Sequence, residues 1–263
     1  MASGGLFRKF RILILLFILF IVGVDAYLTK VRSTDWDRPL TLVVYPINGD
    51  GSLTSSTYID QLMLEDFSAI ERFFTEEATH YKLPLNKPIE VHLAPLLNEK
   101  PPRTPQDKSP LQVAWWSLKM RWWSWTVESD YQGPPPDIKM YVLYFDPKKN
   151  GVVDHSLGLQ KGLIGVVYGY ADKELTGKNN VVIAHEFLHT VGATDKYDLA
   201  SGQPIHPEGY AKPDKDPLYP QEFAEIMGGK IPSSRTESEM PERLDDCLIG
   251  PGTAQEINWI KAS

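Results

Sequence analysis

The sequence HEFLHTVGATD, residues 185–195, carries the clearest structural signal in this 263-residue chain. Residues four apart lie on the same face of an α-helix, so His185 and His189 can offer their imidazoles to one metal ion. Apolar side chains dominate residues 181–188, which indicates a buried helix. Because two histidines and a glutamate are costly to bury without partners, a metal site is the expected reason for their presence there.

Glu186 follows the first histidine and would lie beside the ion rather than on it. From that position its carboxylate can take a proton from a zinc-bound water molecule and pass it to a leaving amine. Zinc lowers the pKa of bound water to about 7 in such sites. The expected function is therefore a zinc-dependent metallopeptidase that hydrolyses peptide bonds through a zinc-bound water activated by Glu186. One zinc ion per chain is expected.

A catalytic zinc ion usually has three protein ligands and one open position. Gly192 can end the helix in a left-handed conformation and turn the chain, so that Asp195 returns toward the ion. Asp195 is therefore the predicted third ligand. A glutamate on a later element, as in thermolysin-like sites, or another residue downstream of the motif would be an alternative. These alternatives are Glu222, Glu225, His206 and Asp198.

The pattern His185-Glu186-x-x-His189-x-x-Gly192-x-x-Asp195 resembles the extended zinc signature of the metzincin clan of metallopeptidases. Most members have a third histidine where this chain has Asp195. The aspartate form resembles the snapalysin type, and the continuation DKYD at 195–198 is similar to the immune-inhibitor-A type. The resemblance implies an α+β fold with a mixed twisted sheet, backing helices, the active-site helix and a methionine turn beneath the metal.

The segment EIMGG at 225–229 matches that methionine turn, so the resemblance assigns Met227 to it. It also implies that a strand at 163–171 is the sheet edge that pairs with an extended peptide or protein substrate. Gly229 stands where some metzincins have a tyrosine, which leaves the group that stabilises the oxyanion unassigned. Five tyrosines are candidates for that role: Tyr168, Tyr170, Tyr197, Tyr210 and Tyr219.

Hydrophobic periodicity predicts alternating strands and helices around the motif. Strands are expected at 41–45, 88–94, 138–145 and 163–171, and one amphipathic helix is expected to contain residues 59–74. The helix of the zinc motif is expected to begin near Asn179 or Asn180, because either side chain can cap it.

Five tryptophans lie between residues 111 and 127, where the spacing also predicts a helix. Two apolar stripes would run along it about 150° apart. One consists of Leu111, Trp115, Leu118, Trp122 and Trp125, and the other of Trp116, Met120 and Trp123. A domain core can use only one stripe fully. Either both stripes are buried, between the sheet and a neighbouring loop, or one is an exposed aromatic patch that meets a membrane surface or a protein partner.

The N-terminus carries three basic residues and then an apolar run at 12–24, which is typical of an export signal. An uncleaved signal anchor over 1–28 is favoured over a cleaved signal peptide. It predicts a transmembrane helix and membrane association through residues 12–28, with the catalytic domain on the extracytoplasmic side; secretion is the alternative. Residues 29–39 would form a linker and 40–263 the metallopeptidase domain.

Composition excludes some classes of protein and site. The net charge of −7 argues against a nucleic-acid partner, because nucleic-acid binders present basic surfaces. Cys247 is the single cysteine, so a cysteine-built zinc site and an intramolecular disulfide are impossible. Two other functions stay open: a catalytically inactive zinc-binding adaptor of a membrane complex, and an enzyme that acts on a non-protein amide.

Overall fold

The computed structural model describes residues 10–14, 16–17, 20, 23–24, 33–103, 109–127, 130–151, 156–159 and 162–261. The longer strands are β1 Leu40–Asn48, β2 Ile89–Leu93, β3 Ile138–Phe145, β4 Leu157–Leu159 and β5 Ile164–Tyr170. Four short strands follow: β6 Ala224–Glu225, β7 Ile231–Pro232, β8 Ser238–Glu239 and β9 Cys247–Leu248. The helices are α1 Leu53–Asp60, α2 Ser68–His80, α3 Pro110–Thr126, α4 Thr176–Thr190 and α5 Pro251–Glu256.

The five longer strands form one mixed sheet in the order β2-β1-β3-β5-β4. Neighbouring strands are parallel from β2 to β5, and β4 is antiparallel to β5. Parallel neighbours need long crossover connections, which α1, α2 and α3 supply. The structure therefore confirms an α+β fold with a mixed five-stranded sheet and helices.

The four predicted strands correspond to β1, β2, β3 and β5, but β4 was not predicted. The expectation that residues 163–171 form the sheet edge is wrong. Val166 pairs with Leu157 of β4 on one side of β5 and with Tyr141 of β3 on the other. The edge is β4, whose three residues are too few to show the alternation that predicts a strand.

The helix predicted to contain residues 59–74 is two helices in the structure, α1 and α2. The chain leaves helical geometry after Asp60, and a 3₁₀ turn at 64–67 precedes α2. The Asp66 carboxylate accepts a hydrogen bond from the Met63 backbone N–H at 2.9 Å, which stabilises the start of this turn. The hydrophobic spacing was therefore read correctly, but a local side-chain contact interrupts the helix.

The motif helix α4 begins at Thr176, so the prediction that Asn179 or Asn180 caps it is wrong. Both asparagines lie inside the helix and are buried. Asn179 accepts a hydrogen bond from the Tyr170 backbone N–H and donates one to the Tyr170 carbonyl. These bonds tie α4 to the end of β5, so tertiary pairing replaces capping.

Side-chain alternation along the strands gives the sheet two buried faces. Leu42 and Val44 of β1 pack with α2 and α4 in the larger core, whereas Val43 and Tyr45 pack with α3 in a smaller one. The zinc motif therefore lies on the face of the sheet opposite to α3.

Helix α3 buries one of its two apolar stripes. Trp116 and Met120 are buried against the sheet, and Trp123 contacts Tyr141 with ring centroids 4.8 Å apart. All five residues of the other stripe are exposed. The alternative in which both stripes are buried is therefore wrong, and the exposed-patch alternative describes the helix.

Most of the predicted signal anchor, residues 1–28, lies outside the described residues. In the part of the chain that the structure describes, no helix is both long and apolar enough to cross a bilayer. This finding contradicts the prediction of a transmembrane helix. Within the predicted linker, the Trp36 side chain is buried and its indole N–H donates to the Ile257 carbonyl at 2.7 Å.

Candidate metal centre

Helix α4 presents His185 and His189 on one face, with ring centroids 4.8 Å apart. The helix ends at Thr190, and Gly192 follows with a φ of +115°. A side chain at that φ would be strained, which is why a glycine allows this turn. The Ala193 backbone N–H then donates to the Leu188 carbonyl, and the chain reverses direction immediately before Asp195.

The structure brings the three predicted ligands together. The Asp195 Oδ1 atom lies 3.2 Å from His185 Nε2 and 3.1 Å from His189 Nε2. One ligand atom from each residue lies within 4.8 Å of the other two. Two imidazole nitrogens and one carboxylate oxygen form a donor set that suits zinc and leaves a fourth position open.

Backbone carbonyls hold both imidazole rings from behind. His185 Nδ1 lies 2.9 Å from the Ile226 oxygen, and His189 Nδ1 lies 2.9 Å from the Ala193 oxygen. Since a carbonyl can only accept, each Nδ1 donates its proton in these bonds. Such bonds fix the orientation of each ring and direct its Nε2 toward Asp195, as in protein zinc sites.

The electrostatics of the three ligands are those of a site for a positive charge. Burial would raise the pKa of Asp195, but hydrogen bonds from the two histidines hold it well below its ordinary value. Burial would lower the pKa of His185, but the hydrogen bond to Asp195 and the nearby charge of Glu186 raise it to about 9. A divalent cation would replace this proton as the partner of the carboxylate.

Glu186 lies beside the ligands with its carboxylate buried. Among the described residues, its Oε2 atom has no hydrogen-bond partner. Burial raises the pKa of Glu186, and the two neighbouring histidines oppose that rise. A buried carboxylate oxygen without a protein partner, next to three metal-type donors, fits a site that takes an ion and a water molecule.

Gly158 of β4 is a site residue that the sequence reasoning missed. A β-carbon there would lie 2.5 Å from the His189 β-carbon and 3.2 Å from Glu186 Oε2. The strand can therefore pass over α4 only with glycine at this position. The short stretch Leu157-Gly158-Leu159 carries no signal of that contact, because it depends on residues about 30 positions away.

Met227 is buried in the turn at 225–229. The backbone N–H groups of Gly228 and Gly229 both donate to the Glu225 carbonyl, which closes the turn. The Met227 carbonyl accepts from the Lys196 backbone N–H at 2.9 Å. The turn thus contacts His185 through Ile226 and the Asp195 segment through Met227.

The Glu225 side chain is fully buried beneath this turn. It accepts hydrogen bonds from the Gly228 N–H at 2.8 Å, the Gly250 N–H at 3.1 Å and the Thr253 hydroxyl at 2.7 Å. Burial raises its pKa, and these three donors oppose the rise. Glu225 therefore connects the methionine turn to α5.

Helix α5 also holds the segment that carries Asp195. The Glu256 carboxylate accepts from the Thr194 backbone N–H at 2.8 Å and from its hydroxyl at 2.6 Å. The buried Lys196 ammonium lies 2.6 Å from Glu256 Oε1. Residues on both sides of Asp195 are therefore fixed to one carboxylate.

Tyr197 is the candidate tyrosine whose side chain lies beside His185 and Asp195. Burial and the negative charge of Asp195 raise its pKa to about 12, so the phenol stays protonated at neutral pH. Its ring centroid lies 6.4 Å from that of His185. Two other candidates, Tyr210 and Tyr219, bond each other through their hydroxyls at 2.8 Å.

The alternative third ligands have other partners in the structure. Glu222 pairs with Lys212 at 2.8 Å, and Glu225 is held as described above. His206 Nε2 lies 3.2 Å from the Pro213 carbonyl. Asp198 accepts from Ser201. In the described part of the chain, the cluster that could hold a metal consists of His185, His189 and Asp195.

Comparison with protein-family models finds no match for this chain, and comparison with curated proteins finds none either.

Proposed function

We propose that this protein is a zinc-dependent metallopeptidase of metzincin-like architecture. One observation carries the proposal. His185, His189 and Asp195 converge within 4.8 Å beside Glu186, whose buried Oε2 atom has no partner among the described residues. A binding-only metal site has no need for such a carboxylate, whereas hydrolysis requires a base at this place.

A zinc ion held by the three ligands would polarise the substrate carbonyl and lower the pKa of water to about 7. Glu186 is placed to remove a proton from the attacking water and to deliver it to the leaving amine. Burial raises the pKa of Glu186 toward neutral pH, which suits a carboxyl that must both accept and release a proton. Tyr197, whose phenol stays protonated beside His185 and Asp195, is the donor that we propose for the developing oxyanion.

The substrate we propose is an extended peptide that adds to the sheet at β4. This strand pairs with β5 on one side, and its backbone lies directly over Glu186 and His189. Main-chain hydrogen bonds to an edge strand would align the peptide along the ligands without reading its side chains.

Zinc content and peptide hydrolysis of the full chain test the proposal. Elemental analysis should give one zinc per chain in the wild type, with loss in His189→Ala and Asp195→Ala. His206→Ala and Asp198→Ala are matched controls and should keep the metal. If Asp195→Ala retained zinc and one of the controls lost it, the residue changed in that control would be the third ligand instead of Asp195.

Glu186→Gln should retain zinc and lose about 10²–10⁴-fold in hydrolysis of a quenched-fluorescence peptide library. Full activity in that variant would refute the proposed mechanism. Zinc bound by a wild-type chain that cleaves no peptide would favour the adaptor or an enzyme for a non-protein amide.

A further inference from the structure

Five exposed apolar side chains form a continuous surface on α3, on the side facing away from the sheet. We name it the Trp seam, and it consists of Leu111, Trp115, Leu118, Trp122 and Trp125. Leu111 is 84% exposed, Trp122 66% and Trp125 74%. Single exposed apolar residues are ordinary, but a contiguous patch of this kind on a soluble surface marks an interaction site.

The Trp seam has the spacing of a helix–helix contact. Its members are separated by four, three, four and three residues, which is the 3.5-residue repeat of a coiled-coil face. Trp122 and Trp125 contact each other with ring centroids 5.3 Å apart. An open groove of about 600 Å³ lies along the seam between Trp115, Trp122 and Pro102.

We propose that two copies of this chain pair through the Trp seam, with the two α3 helices antiparallel about a two-fold axis at Leu118. In this arrangement Leu118 meets its own copy, Trp115 meets Trp122, and Leu111 meets Trp125. At each end of the seam, Trp125 of one copy then packs against the smaller Leu111 of the other. Pairing a large side chain with a smaller one lets the two helices interdigitate. The proposal is independent of the metal site, which lies on the other face of the sheet.

The exposed area agrees with a dimer. At roughly 150–250 Å² per fully exposed aromatic side chain, the three tryptophans and two leucines present on the order of 600 Å² of apolar surface. Two copies would bury about 1,200 Å², which is the lower bound for a specific protein interface of ~1,200–2,000 Å². Residues flanking the seam would add to this area.

Charge favours a second copy over a lipid surface. None of the five residues of the Trp seam is charged, so the centre of the paired surface contains no ion, and Lys119 borders it beside Trp115. Helices that bind anionic membranes carry a row of Lys and Arg, whereas α3 has only Lys119 and Arg121. The Lys119 ammonium lies 5.6 Å from the Trp115 ring centroid, and the whole chain has a net charge of −7.

A disulfide across the two-fold axis tests this geometry in the full chain. Packed helix axes are about 8–10 Å apart and α-carbons lie about 2.3 Å from each axis, so facing α-carbons come within roughly 3–5 Å, and bulky tryptophans favour the wider end. A disulfide accepts α-carbon separations of about 4.4–6.8 Å. Leu118→Cys should therefore form a covalent dimer when diamide takes up the two thiol hydrogens. Cys247 is buried, so the wild type is a background control.

Two matched variants separate the proposed pairing from random collision. In Leu111→Cys, seven residues from the axis at 1.5 Å per residue, the two sulfurs would be about 20 Å apart. Leu53 is 82% exposed and lies outside α3, so Leu53→Cys measures collision alone. Dimer yield should be at least several-fold higher for Leu118→Cys than for both. Equal yields in the three variants would overturn the proposal.

Sedimentation velocity of the full chain gives an independent readout. Trp115→Gln with Trp122→Gln should shift the protein toward monomer, whereas Leu199→Gln, at a leucine elsewhere that is 82% exposed, should not. The same residues 12–24 are present in every variant, so any association through them is constant. An unchanged mass in the double variant would contradict the dimer. Binding to phosphatidylglycerol vesicles that depends on the seam residues, together with no Leu118→Cys dimer, would also contradict the dimer. That result would show that the Trp seam binds lipid.

Discussion

The α-carbon of Gly158 faces Glu186 so closely that a β-carbon there would lie 3.2 Å from the Glu186 Oε2 atom and 2.5 Å from the His189 β-carbon. Real β-carbons essentially never approach other atoms to under 3.0 Å, so a side chain would have to push β4 away from α4. This contact fixes how closely β4 packs on α4 beside Glu186 and His189, where the base and the substrate would meet in the proposed mechanism.

Replacement of Gly158 by alanine is expected to reduce peptide hydrolysis by about 10²-fold or more, since a displacement of about 1 Å at an active site can cost that much. Zinc content should fall less, because His185 and Asp195 are not displaced. Kinetics with a quenched peptide and elemental analysis of the same preparation would check both expectations.

Gly151→Ala is the matched control for this change. A β-carbon at Gly151 would meet nothing within 4 Å, and its φ is outside the left-handed region. Its activity should equal that of the wild type. Equal activity in Gly158→Ala would mean that β4 moves away without consequence, and the strand would not define the cleft.

The sequence and the structure agree where a short-range rule determines position. Helical periodicity places His185 beside His189, and Gly192 allows the turn that returns Asp195. Gly158 and the burial of Glu225 could not be predicted. Both depend on contacts between segments more than 20 residues apart, and neither alters local periodicity.

The same distinction explains the misplaced start of α4. Asn179 and Asn180 are good capping residues, but their amides bond Tyr170 and Asp66 instead, which only the folded chain brings near. Helical periodicity predicted two apolar stripes on α3, and packing against the sheet determines which stripe is buried. Local patterns thus predicted the four longest strands, α3 and α4 but neither β4 nor the break between α1 and α2, and tertiary contacts determined the ends and neighbours of the elements.

Zinc binding should release a proton at pH 7. Burial lowers the pKa of His185, but Asp195 and Glu186 raise it to about 9, so without metal this imidazole is charged at neutral pH. An imidazole must be neutral to bind a metal ion, so apparent affinity should rise about tenfold per pH unit from pH 7 to 9. Calorimetry in buffers of different ionisation enthalpy measures the proton count. His206→Ala should show the same count, and zero protons released at pH 7 would contradict the expectation.

Tyr197→Phe should lower kcat by about 10²–10³-fold, as removal of one oxyanion donor does, and should leave zinc content unchanged. The phenylalanine keeps the ring near His185 and removes only the hydroxyl. Tyr210→Phe is the control, since that hydroxyl bonds Tyr219. Loss of zinc with intact kcat per bound zinc would show that the Tyr197 hydroxyl positions the ligand instead.

Glu225→Gln should weaken zinc binding by about 10–100-fold, the usual effect of removing a group that orients a metal ligand. Glutamine can accept at one atom only, so its amide N–H₂ would face either the Gly228 N–H or the Gly250 N–H. Ile226, which holds His185, would shift with the turn. Competition with a chromophoric chelator measures the affinity.

Thr253 provides the matched pair for that prediction. Thr253→Ser keeps the hydroxyl that donates to Glu225 and should retain zinc affinity, whereas Thr253→Ala should lose part of it. Equal affinities in the serine and alanine variants would show that this hydrogen bond does not orient the site.

Stability at acid pH should depend on Glu256. Burial would raise its pKa, but hydrogen bonds from Lys196 and Thr194 hold it below the ordinary 4.5. A carboxyl with a lowered folded-state pKa stabilises the protein above its unfolded-state pKa, and this contribution is lost as pH falls through the folded-state value. Glu256→Gln should therefore cost roughly 1–3 kcal/mol at pH 7, with the difference shrinking below about pH 4.

Urea unfolding of the metal-free wild type and variant at each pH measures that difference directly, because other carboxyls contribute equally to both. Glu222→Gln is the control, since its pairs with Lys212 and Lys215 are on the surface and should contribute little at any pH. Glu256 differs from Glu222 because its partner Lys196 is buried. In Glu256→Gln that buried ammonium would lose its ionic partner. A constant difference between wild type and Glu256→Gln from pH 7 to 3 would show that Glu256 acts through packing rather than charge.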